Sequence, residues 1–245
     1  MKSFRKLRRA FIEQQKLTKY LTYALGEIIL VVLGILIALQ INNSNEERKS
    51  AEAEQRLLKD LNTEFRENLK QLEIDMKRLK EGRKSTGILL GLMAQEEPDV
   101  EGYVLDTLLS SHLTQPTWDL SVFMLEELKN SGGFGKIKNR KLKNALLDWE
   151  RFYSNVQEIE KDFNRSFIEQ VQFLKEHGSL REIDQHNPVW DLGPSILPNR
   201  NKALLKDYKF ENYLDDFYIV SSDVLEAYNS AREKLKVIIE ESGGG

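Results

Sequence analysis

Among the 245 residues, Glu27 is the one whose chemistry is set most sharply by its neighbours: it is the single charge in an apolar run from Tyr20 to Ile41. An ionisable group inside a membrane-length segment costs a few kcal/mol unless it is neutral, partnered or hydrated. Where it occurs it serves as a polar contact between helices or as a station on a proton or ion path. Gly34 lies seven residues further on and Ala38 four beyond that, on the same helical face. Gly26, Leu30, Gly34 and Ala38 form an i+4 row whose small residues allow close helix approach. Glu27, Gly26, Gly34 and Ala38 are therefore the candidates for membrane helix packing or an ion path.

Other chemistry is thin. With no Cys, the chain has no disulfide, thiol nucleophile or Cys-type metal site. His112, His177 and His186 show no i+3 or i+4 spacing, so no helical metal site is expected. Asp184, His186 and Asp191 share a Pro-rich stretch, where surface solvation explains them as well as a cation does. Gly132-Gly133-Phe134-Gly135-Lys136 has the glycines of a phosphate cradle without a preceding strand or the right Lys register. No nucleophile elbow, zincin motif or dinucleotide fingerprint is present. No catalytic residue, metal, cofactor or enzymatic activity is expected.

The elements that must position Glu27 follow from hydropathy. About 22 residues at 1.5 Å each span the roughly 30 Å hydrocarbon core, so 20–41 reads as one transmembrane helix. The exit Ala38-Leu39-Gln40-Ile41-Asn42 lacks the paired small residues of a cleavage site, which favours an uncleaved signal anchor. Ahead of it, Lys2, Arg5, Lys6, Arg8, Arg9, Lys16 and Lys19 face one acid, Glu13, a formal +6 in residues 1–19. The positive-inside rule then keeps this leader in the cytoplasm. From a total of −3, the +6 and the −1 of Glu27 leave −8 for residues 42–245, which are exported. Phe4, Leu7 and Phe11 give the leader an apolar face, so Arg5, Lys6, Arg8 and Arg9 are candidates for contact with the anionic inner leaflet. The alternative is that these charges only set topology. Nucleic acid is not an expected partner, because the basic tract abuts the membrane without a fold of its own.

Beyond the span, Leu57, Leu61, Phe65, Leu69, Leu72, Met76 and Leu79 recur at three or four residues and predict an amphipathic helix ending near Gly82. Asn42 to Asn45 are poor helix formers but include no Pro or Gly, so the membrane helix can continue outward as a stalk. Short helices are expected over 88–95, 103–113 and 120–130, with a turn over 131–135. Leu142 to Leu174 repeat at about 3.6 residues, with Asn139 as N-cap and Gly178 as stop. Residues 179–201, with three prolines, read as a long loop, and a final helix is entered near 208–212. No strand is expected. The fold class is all-α: one transmembrane helix continuing into a periplasmic antiparallel helical bundle over 42–241, its aromatic stripes forming core. Ser242-Gly243-Gly244-Gly245 reads as an appended linker.

The run from Leu25-Gly26-Glu27 through Gln40-Ile41-Asn42-Asn43, followed by Asn45-Glu46-Glu47-Arg48, closely resembles the start of an uncharacterised family of single-span, N-in envelope proteins of Gram-negative bacteria. Pro116-Thr117, Leu128, Ser131-Gly132, Ile137, Asn139, Leu142 and the Trp149 to Tyr153 stretch are similar to that family's middle motif, while Ser44 stands where a Trp is usual. The resemblance implies an inner-membrane protein with a periplasmic helical domain, and no activity. The expected function is non-enzymatic: a membrane-anchored scaffold whose partners are the lipid bilayer and either a second copy of itself or another membrane protein. The alternative is an ion-conducting or proton-driven assembly that uses Glu27.

Overall fold

The computed structural model describes residues 2–116, 118–187 and 193–243, with side chains described from Leu21 onward except that of Tyr23. It is all-helical, with no strand among the described residues. It divides into two compact units, Met1–Arg56 and Leu57–Gly245.

The first unit belongs to helix α1, Lys2–Met93, 92 residues without a break. Residues 28–39 are apolar except for Gly34 and are exposed on every face. This is the one helix among the described residues long and apolar enough, by length and composition, to cross a membrane. Helicity persists through the polar stretch that follows because no residue there lacks an N–H. Exposed i,i+3 and i,i+4 pairs add a few tenths of a kcal/mol each. Examples are Arg48 with Glu52 at 3.2 Å and Lys49 with Glu46 at 3.1 Å.

The second unit combines residues 57–93 of α1 with α2 (Gly102–His112), α3 (Phe123–Asn130), a 3-10 turn (Gly133–Gly135), α4 (Arg140–His177), α5 (Leu180–Asp184), α6 (Asn201–Leu204) and α7 (Tyr208–Gly243). The expected stop at Gly82 is a correction: α1 runs on to Met93 and absorbs the short helix expected over 88–95. Gly82 is a point of close approach instead. A Cβ there would lie 2.9 Å from the Ser111 carbonyl oxygen, and the Thr86 hydroxyl donates to the Gly82 carbonyl at 2.9 Å within the unbroken helix. A second correction concerns 179–201, which begins with α5 and ends by entering α6.

Helix α4 starts as the sequence expects. Asn139 Oδ1 accepts from the Lys141 and Leu142 amides at 3.0 and 3.2 Å, and Gly178 ends the helix. The turn before it needs a glycine at Gly132, where φ is +67°. Helix α7 opens on a cap absent from the sequence reading: Asp207 Oδ1 accepts from the Lys209 and Phe210 amides at 2.8 and 3.2 Å.

Two apolar clusters fill the second unit. The larger takes Leu61, Phe65, Leu72 and Leu79 from α1, Leu146, Trp149, Val156 and Phe163 from α4, and Val224, Tyr228 and Leu235 from α7. The smaller takes Leu89, Leu105, Leu109, Phe173, Ile183 and Phe210. The aromatic stripe of α4 is thus core. Trp118, from the irregular stretch between α2 and α3, packs edge-on against Trp149 at 5.9 Å and Tyr228 at 5.7 Å. Its indole N–H donates to the Asn68 carbonyl at 3.2 Å, while the Asn68 amide exchanges two hydrogen bonds with the Ser121 backbone at 2.9 and 3.0 Å. Asn62 Nδ2 donates to the Ile239 carbonyl at 2.7 Å and to the Ser242 hydroxyl at 3.0 Å, so Ser242 and Gly243 fold as helix. Asn139 Nδ2 donates to Glu241 at 2.8 Å, and Phe173 stacks on Phe210 at 6.3 Å between ring centres.

Two glycines on α1 separate propensity from packing. Gly91→Ala, with nothing within 4 Å of the new Cβ, is expected to stabilise by about 0.5–1 kcal/mol. Gly82→Ala is expected to destabilise by about 1–3 kcal/mol, because backbone must move to admit the methyl group. Denaturant unfolding of both variants in the same detergent measures the opposite signs.

Candidate functional site

Glu27 is exposed on α1, as are Gly34 and Ala38, and a Cβ added at Gly26 or Gly34 would meet nothing within 4 Å. Helical spacing places these residues along one side of the apolar run, so the segment offers a carboxylate and a shallow small-residue row to whatever packs on it. The side chains of Arg5, Lys6, Arg8 and Arg9 lie outside the described residues.

Among the described residues of the second unit, polar nodes form around His112, Asp106 and Glu160, none of them expected from the sequence. His112, at the end of α2, is fully buried among α1, α4 and α7. Its Nδ1 lies 2.8 Å from Thr86 Oγ1, its Nε2 lies 2.5 Å from Gln170 Nε2, and its ring meets Phe217 edge-on at 4.5 Å. The Thr86 hydroxyl has one proton, which goes to the Gly82 carbonyl, so Thr86 accepts from Nδ1–H. Nε2 is then the acceptor for Gln170, and the imidazole is neutral. Burial pushes its pKa down to about 3.

Asp106 is buried one helical turn before Leu109 and Ser110. Its carboxylate accepts from Asn199 Nδ2 at 2.7 Å and Asn201 Nδ2 at 2.6 Å. Asn201 Oδ1 accepts from the Ser179 amide at 2.7 Å, closing both ends of the 179–201 connection onto α2.

The third node joins α4 to α7, where the Tyr228 hydroxyl donates to Glu160. Burial raises the pKa of Glu160 and of Tyr228, and the Glu160 carboxylate raises the tyrosine further. Burial also raises Asp75, whose carboxylate accepts from Gln71 at 3.1 Å. Glu64 is raised by burial as well, while its Oε2 accepts from the Met124 amide at 3.0 Å at the start of α3.

Among the described residues no group of three or more His, Asp or Glu is placed to hold a metal ion. Asp191, part of the loop trio, lies outside the described residues. His177 stacks on Phe173 at 4.4 Å. A cavity of about 330 Å³ is walled by Leu113, Phe167, Val171 and Ile183, with Asp184 at its edge, and burial raises the Asp184 pKa. The signal for His112 was present in the sequence: it shares a helical face with Leu105 and Leu109, which marks a core position. Its partners Thr86 and Gln170 are distant in sequence and carried no such mark.

A family of unknown function (DUF6090) matches residues 27–91, a stretch that starts at Glu27 and lies wholly within α1. The match supports the resemblance to an uncharacterised family and brings no activity with it. No curated protein and no solved structure matches the chain.

The depressed His112 pKa has a defined consequence for stability. Below about pH 6.5 the unfolded chain binds a proton that the native chain refuses until about pH 3. The stability contributed by neutral burial is complete above pH 6.5 and falls as pH drops through that window, by roughly tenfold in the unfolding constant per pH unit. Glu64, Asp75 and Glu160 act in the opposite sense, since their raised pKa values let the native state take up protons first. The stability difference between wild type and His112→Gln isolates the histidine. It should shrink steadily as urea titrations move from pH 7 to pH 4, and a difference independent of pH would contradict the neutral assignment.

Proposed function

We propose that this is a non-enzymatic protein of a Gram-negative inner membrane, anchored by residues 20–41 and acting through self-association or contact with another membrane protein. The leader 1–19 lies in the cytoplasm, and residues 42–241 form a periplasmic antiparallel helical bundle. The observation that carries this reading is the run over 28–39, apolar around the whole helix and without a favourable place in water, which lies inside a stretch of about 22 membrane-compatible residues, enough for a bilayer. The +6 leader supports the orientation. Pairing of Asn139 with Glu241 at one end and Phe173 with Phe210 at the other supports opposite directions for α4 and α7. Glu27 favours association over a solitary span: a lone helix leaves its carboxylate facing lipid, whereas a helix pair meeting on Gly34 and Ala38 supplies it with polar company.

A second reading has the same carboxylate carrying protons through a helix cluster, in an ion-conducting or proton-driven assembly. It rests on the position of the acid alone. Glu27→Gln would then abolish proton flux in reconstituted vesicles, and unchanged flux would reject it.

For the leading reading the measurement is mass in mild detergent. Wild type is expected as an oligomer or a crosslinkable complex, and the double variant Glu27→Ala with Gly34→Leu as a monomer. Monomers in both, with no crosslinked partner, would remove the association proposal.

A further inference from the structure

At the end of the second unit opposite Leu57, residues 193–199 hold an apolar tip out in solvent. Ile196 is 100% exposed and Leu197 72% exposed. Pro194 and Pro198 bracket them, fixing φ and removing two backbone donors, so the tip cannot be drawn into a helix or a sheet ladder. The tip is not a frayed end. Arg181 Nε donates to the Gly193 carbonyl at 2.8 Å, and the Ser195 amide donates to Glu182 Oε1 at 3.0 Å. On the far side Asn199 is held by buried Asp106, and the Arg200 amide donates to the Ser179 hydroxyl at 2.9 Å. Two large aliphatic side chains are thereby presented to solvent from a segment hydrogen-bonded on both sides.

Three of the acids near the tip are engaged in hydrogen bonds. Glu182 is taken up by Ser195 and Gln185, Asp106 by Asn199 and Asn201, and Asp207 by the first amides of α7. Arg200 and Lys202, next to the tip, are exposed and enter no ion pair among the described residues. Tyr208, the first residue of α7, is also exposed. A protruding aliphatic pair, free cations beside it and a tyrosine with a wet hydroxyl match the layers of a bilayer interface: acyl chain, phosphate and headgroup. A protein pocket would have to be built for such a protrusion, whereas a bilayer accepts it as it stands.

We propose that this tip docks on a lipid surface carrying anionic headgroups, with Ile196 and Leu197 inserted and Arg200 and Lys202 against the phosphates. The proposal goes beyond the anchoring reading, because it gives the second unit a bilayer contact of its own. The test uses the full chain in phosphatidylcholine nanodiscs, mixed with vesicles of phosphatidylcholine with or without phosphatidylglycerol and separated by flotation. Failure of the anchoring reading would show earlier, as chain that does not stay with the nanodisc. Wild type is expected to float with the anionic vesicles. Ile196→Ser with Leu197→Ser should lower that association about tenfold. Arg200→Gln with Lys202→Gln should lower it about tenfold on anionic vesicles only, as added salt does. All four side chains are exposed, so unchanged melting of both variants accompanies the expected result. Equal flotation of wild type and both variants would overturn the proposal. So would disc pairing without vesicles that the Ile196 and Leu197 substitutions abolish, which would assign the tip to a second copy of the chain.

Discussion

Burial of the Trp118 indole is the interaction on which the second unit depends. This residue is 3% exposed yet comes from backbone that is neither helix nor strand. Irregular backbone enters a core only if its donors and acceptors are met. Asn68 meets them, its amide holding Ser121 from both sides and its own carbonyl taking the indole N–H. With that accomplished, one ring touches Trp149 and Tyr153 on α4 and Tyr228 on α7, and fills the space that α1, α4 and α7 leave between them. A smaller side chain would leave a cavity bordered by three helices that are too long and stiff to close it.

The buried polar nodes set which packing is allowed rather than adding much net stability. A hydrogen bond that replaces one to water contributes little, while an unmet buried group costs its full desolvation. His112 can be satisfied only when Thr86, Gln170 and the end of α2 arrive together, and Asp106 only when Asn199 and Asn201 do. A slide of one helix turn would orphan several groups at once. The titration shifts carry the same message. An imidazole with both nitrogens engaged, no solvent access and a pKa near 3 is poorly suited to act as a base at neutral pH.

Much of this was legible in the sequence because it is local. The apolar run, the 3.6-residue stripe of α4, the Asn139 cap and the start of α7 each depend on neighbours within a turn or two. What was missed depends on distant contacts. Gly82 reads equally as a helix stop or as a place where another backbone passes, and only the Ser111 carbonyl decides between them. Prolines at 188, 194 and 198 suggested an unstructured connection, but α5 fits ahead of the first of them, where nothing opposes a helical turn. His112 carried a core signature from its own helix, while its partners are 26 and 58 residues away.

Beyond the buried polar nodes, the apolar surface left in water is where the described residues can still gain by burial. Exposed aliphatic residues occurring singly, such as Leu147, Ile168, Ile219 and Val237, are ordinary for a folded protein. Two places depart from that background. One is the run over 28–39, where apolar side chains surround α1 with Glu27 at its edge; the other is Ile196 and Leu197, held outward by hydrogen bonds on both sides. Each would gain by leaving water, and neither is covered by the chain's own fold. The rest of the second unit, including its buried polar nodes, maintains the hydrogen bonds that hold Ile196 and Leu197 outward.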